Sequence, residues 1–264
     1  MSIQTLYTAA SGMESLQTKL DVIANNLANV NTTGFKKGRA NFEDNFYRHY
    51  KYPGSQDSQG NLTATGTSIG LGSRVQSVQT SQQQGASQQT NSLFDMSIEG
   101  QGYFQVQDPS GQTLYTRAGN FSLNATGDLV LGSASMGRKL FPNVTLPPGA
   151  TNFSISNDGQ MSYVLNGTQN QLATLQIATF TNPEGLLKLG DNLYALTDSS
   201  GQPTAEAPNQ NGVGKIVQGA LEASNVEPVQ ELIDLITTQR SFELNSQAIQ
   251  AGDQILQLIS NLRR

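Results

Sequence analysis

Apolar residues recur in sevens near both ends of the chain, and no long helical period appears between them. From Ile3 to Val30, one lane runs Ile3, Ala10, Gln17, Ala24 and a second runs Leu6, Met13, Leu20, Leu27. Of these only Gln17 is polar, and a flanking lane adds Ala9, Leu16, Ile23 and Val30. A stripe this wide over four heptads predicts an amphipathic helix that needs a helical partner. Gly12 costs about 1 kcal/mol there relative to Ala. Asn29, Asn31, Thr32, Thr33 and then Gly34 predict the helix end.

The other end mirrors this pattern. Leu235, Phe242, Ile249 and Leu256 are spaced by sevens, with Leu232, Ile236, Ala248, Ile255 and Ile259 in neighbouring lanes. Ser224 and Glu227 have the spacing of a capping box. That box would put Pro228 deeper than the first helical position proline favours. Glu227 and Glu231 near the start, with Arg263 and Arg264 at the end, suit the helix macrodipole.

Between the helices the pattern is one of short strands and turns. Tyr103–Gln107, Asp108–Gly111 and Thr113–Arg117 read as strand, type I turn and strand. Phe153–Ser156 and Met161–Leu165 flank Asn157-Asp158-Gly159 in a second hairpin, and Phe121–Leu123 and Leu129–Leu131 flank Ala125–Asp128. Leu172–Phe180 reads as one strand. The stretch Pro53–Ser92 is different: 30 of its 40 residues are Gln, Ser, Thr, Gly or Asn, and only Asp57 and Arg74 are charged. Such a tract buries little and is loosely extended on its own. Its scattered Leu62, Ile69, Leu71, Val75 and Val78 allow it to be ordered by packing on another surface. The expected fold class is α+β, with paired N- and C-terminal coiled-coil helices at 1–30 and 226–264. A polar connecting segment at 31–92 and an antiparallel all-β domain at 93–225 complete it.

Composition removes several functions. The length of 264 residues allows one to two domains. Charged residues are 13%, against about 25% in typical domains. With no Cys, thiolate metal sites, disulfides and cysteine nucleophiles are excluded. A single histidine, His49, excludes multi-histidine metal sites. The net charge of −5 argues against nucleic acid as the main partner. No apolar run is long enough to span a membrane. The opening Met-Ser-Ile-Gln-Thr-Leu is not the start of an ordinary secretory signal.

The remaining candidate chemistries are weak. Gly100-Gln101-Gly102 lacks the third glycine of a dinucleotide fingerprint and precedes a strand, so it reads as a tight turn or bulge. His49 has no identifiable orienting partner for acid–base work. Glu43 and Asp44 have no opposing carboxylate pair. Lys36, Lys37, Arg39, Arg48 and Lys51 interleave with Tyr47, Tyr50 and Tyr52. That strip suits an acidic protein neighbour, or is a plain solvated face. No catalytic, metal or cofactor site is expected, and an assembly module is expected rather than an enzyme.

One motif is more specific. Val22 to Lys36, with Ala24, Asn25, Asn26, Leu27, Ala28 and Asn29 followed by Gly34, Phe35 and Lys36, closely resembles the signature of bacterial flagellar rod and hook proteins. Ile98–Val106 and Tyr115–Phe121 resemble that family's β-domain motifs, and Gly219–Val226 and Gln239–Ser246 its C-terminal motifs. Phe42–Tyr47 and the chain length most resemble the distal rod branch. The resemblance implies that the terminal helices form an inner-tube domain and the β region an outer domain. It implies packing and polymerisation through Leu6, Met13, Leu20, Leu27, Leu235, Phe242, Ile249 and Leu256. A stiffening role falls to the segment from Tyr47 to about Thr65, including Tyr50 and Tyr52. The implied partners are further copies in a helical homopolymer, other rod proteins, the hook protein and surrounding ring proteins. The implied place is the periplasmic part of the basal body, reached by flagellar type III export. A proximal-rod or hook paralogue is the nearer alternative; a secreted carbohydrate-binding or hydrolytic β-protein is the more distant one.

Overall fold

The computed structural model describes residues 3–56, 60–132 and 136–262; Asp57, Arg263 and Arg264 lie outside the described residues. The architecture is α+β, with two long helices and antiparallel sheet. Helix α1 spans Ile3–Ala28 and helix α2 spans Pro228–Leu262. The first helix stops short of Val30, where the Asn29 carbonyl accepts the Thr32 N–H at 3.1 Å in a turn. The expected capping box does not form. Ser224 Oγ instead accepts the N–H of Val226 at 3.3 Å, and Pro228 is the first helical residue, where its missing N–H costs nothing.

The chain divides into two compact units. The first comprises Met1–Ala28, Gly38–Gln79 and Glu227–Arg264. Here the helices run antiparallel. Asn26 Nδ2 donates to Glu231 Oε2 at 3.2 Å, a Cβ on Gly12 would meet Asn245 at 3.4 Å, and one on Gly252 would meet Leu6 at 2.6 Å. Fourteen positions back along α1 correspond to fourteen forward along α2, so the register is constant between Asn26 and Gly12. On α2 the covered face combines half-buried Leu235, Phe242 and Ile249 with a lane of Glu231, Thr238, Asn245 and Gly252. Leu256, Leu232, Ile236 and Ala248 are exposed.

On α1 the apolar lane Leu6, Met13, Leu20, Leu27 is half-buried, whereas Ala10, Gln17 and Ala24 are exposed. The lane expected from Ile3 through Ala24 therefore turns outward along these three residues. Its place is taken by Ser15, Ile23 and Asn26, because α1 also packs on strand. Ser15 Oγ donates to the Ser73 carbonyl at 3.2 Å, and a Cβ on Gly38 would touch Val22 and Val78. Gly38–Asp44 pairs with Ser73–Thr80, and Tyr47–Lys51 pairs antiparallel with Thr67–Gly70.

The second unit comprises Asn29–Lys37 and Thr80–Val226. Its seven-stranded antiparallel sheet runs in the order Leu187–Gly190, Leu193–Ala195, Thr113–Thr116, Phe104–Gln107, Lys139–Phe141, Leu129–Leu131, Phe121–Leu123. A three-stranded sheet and several strand pairs surround it. Phe104, Met96, Ile98, Leu129, Leu140, Met161 and Leu175 are fully buried in one core. The three expected hairpins form. Leu172–Phe180 is not one strand. Thr168–Thr174 pairs with Gln160–Leu165, and Ile177–Thr179 pairs with Thr204–Glu206. The chain changes partner at buried Leu175, whose N–H donates to the Gly159 carbonyl at 2.8 Å. The polar tract is ordered in parts: Thr67–Gly70 and Ser73–Thr80 are strands, and Ser87–Gln89 pairs with Ala220–Glu222.

Candidate functional site

In the first unit Asn26, in the last turn of α1 and 2% exposed, faces the first turn of α2 at one end of the helix pair. Its Oδ1 accepts the Gly38 N–H at 2.9 Å, and its Nδ2 donates to the Gly38 carbonyl at 2.9 Å. The side-chain amide thus satisfies both backbone groups of the residue that starts the next strand. The same Nδ2 reaches Glu231 on α2. One asparagine ties α1, α2 and the first strand together, and an Ala there would orphan a donor and two acceptors. Among its neighbours in the motif, Ala24 and Asn25 are exposed and Leu27 is half-buried.

In the second unit the motif continues as a loop. Asn29 Oδ1 accepts the Thr32 hydroxyl at 3.1 Å, and Gly34 N–H donates to the Glu222 carbonyl at 2.8 Å. Gly34 has φ +68°, and a Cβ there would lie 2.8 Å from the backbone of Arg117 and Ala118. Only glycine meets both demands. The Phe35 carbonyl accepts the Asn225 N–H at 3.3 Å, and the Lys188 ammonium lies 5.5 Å from the Phe35 ring centroid.

Lys36, expected on an exposed basic strip, is buried instead, and the structure corrects the expectation. It is 1% exposed, and its ammonium donates to Glu222 Oε1 at 2.6 Å and to the Gln83 carbonyl at 2.7 Å. Burial holds its pKa below the usual lysine value, with Glu222 opposing that shift. Glu222 also accepts the Gly85 N–H at 3.0 Å and Arg117 Nη1 at 3.4 Å. Arg117 donates to the Ile98 carbonyl at 3.2 Å and the Gly100 carbonyl at 2.6 Å. The ion cluster fastens the loop after α1 to the strand that precedes α2. Glu222, Arg117 and Glu231 do not stand out in the sequence as site residues, because a charge shows its buried partner only after folding. Glu222 and Arg117 do lie within the family-like stretches Gly219–Val226 and Tyr115–Phe121.

Tyr47, Tyr50 and Tyr52 are exposed on and beside the Tyr47–Lys51 hairpin strand, next to exposed Phe46 and Ile69. His49 stacks on Tyr52 with ring centroids 5.3 Å apart, and Glu43 pairs with Arg74. Gly100 and Gly102 both have positive φ, as a tight turn requires. Among the described residues no group of His, Cys, Asp or Glu could hold a metal, and no helix is long and apolar enough to cross a membrane.

Comparison with known proteins then fixes the class. The family described as "Flagella basal body rod protein" matches residues 6–36, the "Flagellar hook protein FlgE/F/G D1 domain" matches 97–163, and the "Flagellar basal body rod FlgEFG protein C-terminal" matches 217–262. The chain is 43% identical over 264 residues to the flagellar basal-body rod protein FlgG of Caulobacter vibrioides, covering 99% of this chain and 100% of that protein. It is 40% identical to FlgG of Borreliella burgdorferi over 266 residues, with 99% of each chain covered. FlgG of Bacillus subtilis is also 40% identical, over 268 residues, with 99% of this chain and 100% of that protein covered. The chain belongs to the flagellar basal-body rod protein family. A rod protein is a structural subunit of the flagellar basal body and not an enzyme, so the distant alternative of a secreted hydrolytic β-protein falls away. Within the stretch that carries the rod-protein signature, Asn26 bonds to α2 and to the first strand, Gly34 sits at a close backbone crossing, and Lys36 pairs with the buried Glu222.

Proposed function

We propose that α1 and α2 form a coiled-coil assembly module that polymerises this rod protein into the rigid, hollow distal shaft carrying torque to the hook. In this reading 1–30 and 226–264 form the inner-tube domain, 31–92 is the connecting segment, and 93–225 is the outer domain. Leu6, Met13, Leu20 and Leu27 pack with Leu235, Phe242 and Ile249, and further copies cover what one chain leaves bare, exposed Leu256 included. Tyr47, Tyr50 and Tyr52 begin the segment that contacts neighbouring subunits and stiffens the shaft. Other rod proteins, the hook protein and encircling ring proteins are the remaining partners, and flagellar type III export in the unfolded state delivers the chain.

The observation that carries this reading is the bare apolar face of α2. Val229 is 71% exposed, Ile233 49% and Ile236 57%, with Leu232 beside them. Their spacing of three and four places them on one side of the helix. An apolar face is stable in water only when covered, and covering each half-exposed Leu or Ile contributes about 1 kcal/mol. Contacts between unlike faces that do not close into a ring extend as a helical array. The Asn26–Glu231 hydrogen bond fixes the register at one end of the pair, and the polar lane Glu231, Thr238 and Asn245 keeps the single-chain pair weaker than an all-apolar seam.

The test is polymerisation of the full chain carrying Phe242→Asp or Leu20→Glu, read by electron microscopy and sedimentation. Loss of filaments with an unchanged near-ultraviolet spectrum of the β core is the expected result. Normal rods from either variant would overturn the assembly role of the helices.

A further inference from the structure

The ion cluster of the second unit is unbalanced. Lys36, Arg117 and Glu222 are 1%, 5% and 1% exposed, so two buried cations share one buried carboxylate. The charged groups acting on Lys36 are Glu222 and Arg117 alone among the described residues, and a third cation, Lys188, donates to the Lys36 carbonyl at 3.2 Å. Uncompensated charge in a desolvated site is costly and draws in a counter-charge. Backbone carbonyls meet part of this need, but Arg117 Nε is buried with no acceptor.

Beside this guanidinium lies a cavity of about 90 Å³. Arg117 forms one wall, and Gln101 and Thr179 line it with the rings of Tyr103 and Phe180. The rings meet edge-on at 5.7 Å, and the Arg117 guanidinium stands over the Tyr103 ring at 5.5 Å. The Tyr103 hydroxyl is already committed to Gln82 Oε1 at 2.7 Å. Gly102, in the same wall, has φ +133°, and a Cβ on it would strike Ile177, so the turn is held in a shape only glycine takes.

We propose that this cavity is a carboxylate-binding site. A carboxylate is planar and matches the fork of an arginine, whose charged hydrogen bonds are about twice as strong as neutral ones. Gln101, exposed and also lining the cavity, carries a side-chain amide that can donate to such a group. The aromatic wall lowers the local dielectric and strengthens the pairing. The volume admits a group the size of acetate, or the end of an acidic side chain. A bound carboxylate would balance the net single positive charge of Lys36, Arg117 and Glu222. Two sources share this chemistry: a small free carboxylate, or an Asp or Glu from a second copy of the chain.

The experiment follows the Arg117 Nε–H resonance of the full-chain monomer by NMR during titration with sodium acetate, with sodium chloride and inorganic phosphate at matched ionic strength as controls. A saturable shift with acetate, and none with chloride, is expected. Arg117→Gln would strip Glu222 of a partner and test folding instead, so Thr179→Met, at another lining residue, is used to fill the cavity. This variant is expected to keep the rest of the spectrum and weaken acetate binding at least tenfold. No acetate-specific shift, a larger response to phosphate, or a response that survives Thr179→Met would overturn the proposal. In polymer grown without acetate, the same displaced resonance assigns the carboxylate to a neighbouring copy, and an undisplaced one assigns it to free carboxylates. The monomer titration does not depend on the assembly reading, so the two can fail separately.

Discussion

The ammonium of Lys36 lies 2.6 Å from the carboxylate of Glu222, 186 residues later in the chain, and neither side chain is more than 1% exposed. Removing one partner of such a pair costs about 3–5 kcal/mol, because the other charge stays buried. The two removals are not equivalent here. Lys36→Met leaves Glu222 with Arg117 and the Gly85 N–H, whereas Glu222→Gln leaves two buried cations without a carboxylate. Urea denaturation should therefore show a larger loss for Glu222→Gln than for Lys36→Met. The reverse order would mean that Arg117 contributes little to the cluster.

Gly34→Ala faces two penalties, a positive φ and a backbone contact at 2.8 Å. Gly167 offers the comparison, with φ +80° and nothing within 4 Å of an added methyl group. Gly167→Ala should cost about 1 kcal/mol from backbone strain alone. Gly34→Ala should cost clearly more, seen as a lower Tm. Equal losses would show that the Arg117–Ala118 backbone yields easily at this crossing.

Acid should weaken the second unit partly through Asp128. Lys139 is the main cause holding its carboxyl below the usual carboxylate range; hydrogen bonds from Thr145 and Thr126 add to it. A depressed folded pKa means that the unfolded chain binds a proton first. The contribution is fully present above the ordinary value of 3.8 and is lost as pH falls through the folded value. The Tm advantage of the native chain over Asp128→Asn should thus be constant from pH 7 to about pH 5 and shrink toward pH 2. An advantage that does not change over that range would remove Asp128 from the acid response.

Alkali should act through buried phenols. Burial pushes Tyr103 up to about 12 and raises Tyr194 as well. Both are neutral in the folded state at a pH where an unfolded tyrosine ionises. Their stabilising contribution is complete below about pH 10 and is lost as pH rises through the folded values. Tyrosinate absorbance from Tyr103 and Tyr194 should appear only above the ordinary tyrosine range, together with unfolding. Ionisation with the ordinary tyrosine pKa would show that Tyr103 and Tyr194 are reached by solvent.

The hairpin carries the prediction about stiffness. Deleting residues within Tyr47–Thr65 removes exposed Tyr50 and Tyr52 while leaving the helix pair intact, so polymer should form and bend more. Curvature measured on electron micrographs checks this, and unchanged curvature counts against a stiffening segment.

Local pattern was enough for the two long helices and three hairpins. Heptad spacing and turn residues act over a few positions, and the burial they demand is similar in any fold. The rod-protein signature was also legible from Val22 to Lys36, though not the task of each residue in it. Packing was needed for the rest. Lys36 reads as one more surface lysine until Glu222 arrives from the far end of the chain. Ala10, Gln17 and Ala24 fit a helical stripe, yet α1 turns Ser15 and Asn26 inward because strand as well as helix covers it. Leu172–Phe180 alternates like one strand, but pairing partners on two different sheets break it at Leu175. Sequence spacing records which neighbours along the chain share a face. Burial, charge pairing and strand partners depend on residues brought from far away, and those are chosen by the free energy of the whole fold.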